Sequence, residues 1–188
     1  MSRRTTIVLG SALVAASLGG VMTSSSARAA GGDVKFDLVP SSSQLAQCFP
    51  KMKASVEVEL RTDRKGFDEF EIVASGLPPK TAFTVFLLEV PGAPFGAAEY
   101  IGDFFTDSKG RSKNEFELIV EEAFASTLVG QARVRAELDH VGFWFADEAA
   151  DDVCFGPGGG PVTPFDGDNA AGAQVMNSSN ALPAAPLP

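Results

Sequence analysis

Histidine, tryptophan and tyrosine each occur once in this 188-residue chain, and cysteine twice. A zinc site built on two or three imidazoles of one chain is therefore excluded, and any Ser-His-Asp triad must run through His140. Asp139 does not complete such a triad by adjacency alone, because neighbours on a strand face opposite ways. No C-x-x-C is present, so neither a thiol redox pair nor a cysteine-rich zinc module is marked. The glycine run Gly156-Pro157-Gly158-Gly159-Gly160 lacks the Lys and Ser/Thr that a phosphate-binding loop requires. Long helical patterns between strands are missing too, which disfavours a parallel sheet. Basic residues are few, 15 against 24 acidic, for a net charge of −9. A surface of that sign repels nucleic acid and anionic membranes.

The apolar run at the N-terminus has a specific reading. Arg3 and Arg4 precede an uncharged stretch over Ile7–Met22, and Ala27-Arg28-Ala29 supplies small residues at a cleavage site. This is the pattern of a secretory signal peptide cut after Ala29, without membrane insertion of the product. Gly19-Gly20 interrupt the run, and it is short for a span of roughly 20 apolar residues. Ser2-Arg3-Arg4 hints at the twin-arginine route, but Thr6 stands where that signal usually carries Phe, so the route stays open. Removing the leader removes Arg3, Arg4 and Arg28, which leaves a charge of about −12. In an exported chain of bacterial style, Cys48 and Cys154 read by default as a disulfide.

The remaining chain reads as strands and turns. Val34, Phe36 and Leu38 alternate with charged residues over 33–39, and Ser41–Cys48 reads as polar loop. Over 53–61, Val56, Val58 and Leu60 point one way, and Glu57, Glu59 and Arg61 the other. Thr62-Asp63-Arg64-Lys65-Gly66 turns the chain into a return strand at 67–74. The device recurs at Thr106-Asp107-Ser108-Lys109-Gly110, between strands at 99–106 and 112–120 that read as a second hairpin. Both copies precede a similar strand, which fits two hairpins converging on one good turn better than a duplication. Residues 83–90 are apolar on both faces, as a central strand would be. Phe124 and Leu128, four apart, predict a short helix within 121–129, and 132–145 carries one or two strands broken near Asp139-His140. The acidic cluster 147–152, the glycine run and the Pro/Ala-rich end then change the character of the chain.

Leu77-Pro78-Pro79-Lys80-Thr81-Ala82-Phe83 resembles the L-x-P-x-T-x-Y corner of fibronectin type III domains, with Phe83 lacking the hydroxyl that makes the corner hydrogen bond. The resemblance covers seven residues and implies an immunoglobulin-like sandwich, with nothing about function. Together with turns every 8–12 residues, the pattern predicts an all-β fold, an antiparallel β-sandwich of about seven or eight strands. The expected organisation is a signal peptide over 1–29, the sandwich over 30–165 and an acidic, Pro/Ala-rich tail over 166–188.

Candidate sites are few. Asp166, Asp168 and Asn169 offer hard oxygen ligands on a glycine-rich segment, as Ca²⁺ prefers, although Ala171 stands where an EF-hand loop needs Gly. Asp147, Glu148, Asp151 and Asp152 lie before Cys154, which a disulfide would bring towards Cys48. Trp144 shares a strand face with Gly142 and His140, so it either stacks on a sugar or protein partner or packs in the core. Paired carboxylates also admit a small hydrolase, but no pair is singled out. The expectation is a secreted, extracytoplasmic module that works by binding or structural presence and not as an enzyme. Its partner would be a protein, a surface polysaccharide or a second copy, with no cofactor unless it takes calcium.

Overall fold

A computed structural model describes residues 33–120, 123–166, 169–178 and 187. The expected signal peptide and Asp168 lie outside the described residues. Among those described, the fold is all-β and antiparallel. Eight strands form one continuous sheet that folds over into two layers, in the order β5-β4-β9-β12-β1-β2-β3-β6.

Strand β1 (Val34–Pro40) makes the corner between the layers. Its first part, Val34–Leu38, pairs with β2 (Lys53–Glu59), while Val39 and Pro40 pair with β12 (Gln174–Asn177). One layer continues through β3 (Asp68–Ser75) and β6 (Ser112–Leu118). The other runs from β12 to β9 (His140–Phe145), β4 (Ala82–Leu88) and β5 (Ala98–Phe105). The alternation read from sequence places Val56, Val58, Phe70 and Ile72 inward from the first layer. They meet Phe83, Val85, Phe143, Phe145 and Val175 from the second in one core. Phe83 stacks on Phe104 at 5.1 Å and meets Phe143 edge-on at 5.6 Å. Truncating such a ring to alanine costs about 3–5 kcal/mol.

Several expectations are corrected. Ser43–Cys48 is a helix, α1, capped by Ser42, whose hydroxyl accepts from the Leu45 amide at 3.2 Å. Its apolar anchor is a single residue, Leu45, too little to mark a periodic pattern. Residues 99–106 and 112–120 do not form a hairpin: β5 and β6 are the two opposite edges of the sheet, and the turn between them crosses from layer to layer. Phe116 of β6 closes that gap, its ring so near Gly102 of β5 that a Cβ there would stand 2.3 Å away. The expected helix at 121–129 is a strand, β7 (Phe124–Val129), paired with β8 (Ala132–Glu137) in a two-stranded ribbon separate from the main sheet. The boundary at 165 also falls. Residues 163–166 and 169–171 pair as β10 and β11, and β12 lies inside the sheet between β9 and β1.

The proline corner is held by a residue the resemblance does not include. Thr106, 5% exposed, donates its hydroxyl to the Pro78 carbonyl at 2.7 Å and accepts from the Thr81 amide at 3.0 Å. A threonine on the crossing turn thus supplies the hydroxyl that Phe83 lacks. Asp68, fully buried, makes a comparable hub at the other end. Its carboxylate accepts from the amides of Arg61 at 2.6 Å, Thr62 at 2.8 Å and Val120 at 2.8 Å, joining the ends of β2 and β6.

Candidate functional site

The disulfide joins Cys48, at the end of α1, to Cys154 in a short helix over Asp152–Phe155. Gln44 reinforces the junction by donating its side-chain amide to the Cys154 carbonyl at 3.0 Å. Beside it lies a groove of about 940 Å³ on the outer face of the β4-β9-β12 layer.

Its floor is Trp144 with Ala173 and Gln174, and its walls come from three separate segments. The start of α1 contributes Ser42 and Leu45. The loop after β4 contributes Pro94 and Phe95, and the approach to β10 contributes Pro161 and Val162. Trp144 has no exposed surface and is boxed edge-on by Phe86 at 5.4 Å and Phe95 at 5.0 Å. It therefore forms the packed base of the groove beneath Phe95, and its ring faces are not open for stacking a sugar. Gly142 leaves the space this requires: a Cβ there would meet Gln174 at 2.6 Å and the Trp144 ring at 3.0 Å. A short polar row crosses the floor. Asn177 donates to the Gln174 side-chain carbonyl at 2.9 Å and to the Ser41 hydroxyl at 3.2 Å, and Gln174 donates to the Pro91 carbonyl at 2.9 Å.

Among its described lining residues there is no Asp, Glu, Lys, Arg or His. In a chain of which 21% is charged, a groove of this size whose described lining carries no ionisable group offers an ion no compensating charge there. Its volume lies within the range of about 300–1,000 Å³ usual for small-molecule sites, which are likewise mostly apolar with a few placed polar groups.

The acidic residues before Cys154 have other tasks. Asp147 accepts from the Ala149 amide at 2.8 Å and caps a 3-10 turn over Glu148–Asp151. Asp152 accepts from the Gly158 amide at 2.8 Å. Asp151, 1% exposed, accepts from the Ala173 amide at 2.7 Å, fastening the groove floor to the disulfide segment. Burial raises the Asp151 pKa, and the Ala173 hydrogen bond opposes the shift. Gly160 is required there, because a Cβ would come within 2.1 Å of the Asp151 carboxylate. Among the described residues, no group of three or more His, Cys, Asp and Glu is arranged to hold a metal ion. Asp166 and Asn169 face one another in register across β10 and β11, and their side chains, like all of Asp168, lie outside the described residues.

His140 is a buried residue at the start of β9, 4% exposed. Its Nδ1 lies 3.1 Å from the hydroxyl of Ser178, which also accepts from the Val141 amide at 2.9 Å. His140 Nε2 stands 3.7 Å from Asp139 Oδ1, longer than a hydrogen bond. The three residue types are those of a nucleophilic triad, but Ser178 is only 2% exposed and its oxygen already holds a backbone amide. The arrangement fastens the end of β12 to the start of β9. Burial lowers the His140 pKa, partly offset by the Asp139 charge, and burial raises that of Asp139.

The outer face of the other layer carries a grid of glutamates. Glu57 faces Glu71 and Glu71 faces Glu115, while Glu59 faces Glu69 and Glu69 faces Glu117. Like charges directly opposite each other destabilise a sheet, and basic residues at the margins relieve them. Lys35 pairs with Glu57 at 2.6 Å, Lys113 with Glu71 at 2.7 Å, and Arg61 with Glu59. Hydrogen bonding raises the pKa of Lys35 and of Lys113, and the bond from Lys65 lowers that of Glu69.

Gln174, Asn177, Phe95, Val162 and Ser178 escape sequence reasoning because three of them lie in what reads as a tail and the others in irregular segments. The run Gln174-Val175-Met176-Asn177 is polar at both ends and apolar between, with no period-two alternation to mark a strand there. No protein-family model, curated protein or solved structure matches this chain.

Proposed function

We propose that the protein is a secreted binding module whose site is the groove over Trp144, and that it takes an uncharged, predominantly apolar ligand or chain segment without acting on it chemically. One observation carries this reading: none of the described residues lining the groove is ionisable, in a chain with 24 acidic side chains. A site of that composition offers neither a general base nor a metal ligand, and it favours neutral apolar surface by desolvation alone. The disulfide fits an oxidising compartment, and among the described residues no helix is long and apolar enough to cross a membrane. Between the partners expected from sequence, the groove favours an apolar protein segment over a polysaccharide, since Trp144 lies beneath Phe95.

The test uses a matched pair of dyes, neutral N-phenylnaphthylamine and its anionic sulfonate analogue, titrated into the oxidised protein. The neutral dye binds at one saturable site and the sulfonate more weakly. Val162→Asp, at a groove residue 58% exposed and so tolerant of a polar side chain, abolishes binding of the neutral dye. Equal binding by wild type and variant would refute the assignment.

A further inference from the structure

The ribbon β7–β8 is separate from the main sheet, resting on the core through Ala125. Among the described residues it pairs with no other strand, and two-stranded ribbons are marginal in water unless something covers them. At its base Ala136 is buried, and the Leu138 amide donates to the Ala123 carbonyl at 3.1 Å. At its tip the pattern reverses: Leu128 is 60% and Val129 64% exposed. Gly130 supplies the positive φ of 65° for a two-residue turn with Gln131, and Val129 faces Ala132 in register. From Leu128 to Ala132 the tip bears no charge, and the next residues inward with charge include the cations Arg133 and Arg135.

This apolar tip and the uncharged groove are complementary surfaces of one chain. None of the ribbon's own residues lines the groove, so within a single copy the two do not meet. Between copies, a net charge of −9 opposes approach wherever carboxylates face each other, as on the glutamate grid. The described groove lining and the ribbon tip both lack carboxylates, and the cation Arg133 behind the tip is attracted to a second chain of net charge −9. We infer that the occupant of the groove is the β7–β8 tip of a second copy, with Leu128 and Val129 seated over Trp144 between Pro94 and Val162. This rests on the reading of the groove as a neutral, apolar binding site. The contact is heterologous, ribbon to groove, so each copy offers one donor and one acceptor surface.

Sedimentation velocity of the oxidised full chain from micromolar to millimolar concentration tests the inference. Wild type self-associates with concentration. Leu128→Asp, which removes the donor, and Val162→Asp, which removes the acceptor, are each monomeric alone. Mixed, they form a one-to-one heterodimer, because the intact tip of one meets the intact groove of the other. A wild type that stays monomeric at millimolar concentration overturns the inference. So does a mixture that stays monomeric, or association that Leu128→Asp abolishes and Val162→Asp leaves intact, the signature of ribbon-on-ribbon stacking. The dye titration separates the two claims: neutral dye lost in Val162→Asp together with a monomeric wild type leaves the groove reading standing and removes the second copy as its occupant.

Discussion

Reducing the disulfide tests how stability and the groove are coupled. Cys48 and Cys154 are 106 residues apart in sequence, and the chain-entropy estimate for a loop that long is about 5 kcal/mol. For a protein of this size about 2–4 °C accompanies each kcal/mol, so the double variant Cys48→Ser, Cys154→Ser should melt roughly 10–20 °C below the oxidised protein. Folded-state contacts at the junction persist in part, since Gln44 still reaches the Cys154 carbonyl and Leu45 stays buried. The native sheet should therefore survive at low temperature with an unchanged far-ultraviolet spectrum. The groove should not survive unchanged, because Leu45 and Phe155, beside the two cysteines, line it from different segments. Neutral-dye affinity should fall while the fold is intact. A double variant melting within about 2 °C of wild type would refute the loop-entropy reasoning. Unchanged dye affinity would refute the claim that the bridge holds the groove walls.

Further expectations concern single groups. Asp68→Ala strands three backbone amides, one of them fully buried, and should cost about 3–5 kcal/mol in urea unfolding, after discounting the two partly exposed bonds. Loss below about 1 kcal/mol would show that water replaces the carboxylate. His140 has its folded pKa lowered by burial, so the folded state resists a proton that the unfolded chain accepts. Its contribution to stability is thus present above the unfolded value near 6.5 and lost as pH falls below it. His140→Asn should flatten that slope in urea midpoints between neutral and mildly acidic pH, and a slope identical to wild type would assign it to other groups. Thermal melts in excess Ca²⁺ and in EDTA should coincide, because Asp147, Asp151 and Asp152 are engaged with backbone amides. An upward shift lost on Asp166→Asn, Asp168→Asn would instead make that segment a cation site.

The layers of the sandwich were legible because burial there follows simple alternation. Val56, Val58, Phe70 and Ile72 announce an inward face, and the apolar run at 83–88 announces a strand covered on both sides. The bridge between Cys48 and Cys154 followed from their number and the expected signal peptide. What escaped depends on distant partners. The crossing turn at 106–110 reads locally like the hairpin turn at 62–66, and only the pairing of β5 with β4 and β6 with β3 separates their roles. Phe124 and Leu128 mimic helical spacing while lying on one face of a strand, where even-numbered offsets do the same. The groove was invisible because its walls are short, irregular and far apart in sequence. Its floor residue Gln174 lies in a stretch whose small and polar composition resembles a tail. Trp144 stood out by rarity, and the choice between stacking platform and packed core was settled by Phe86 and Phe95, which no local pattern pairs with it.

The central claim, an uncharged groove that binds neutral apolar surface above Trp144, is tested most directly by energy transfer. This chain has one tryptophan, at the groove floor, and N-phenylnaphthylamine accepts excitation from an indole close by. Saturable transfer from Trp144 to the bound dye, absent in Val162→Asp and weaker for the sulfonate analogue, is the predicted result. Dye fluorescence without transfer from Trp144, or transfer unaltered by Val162→Asp, would contradict the account.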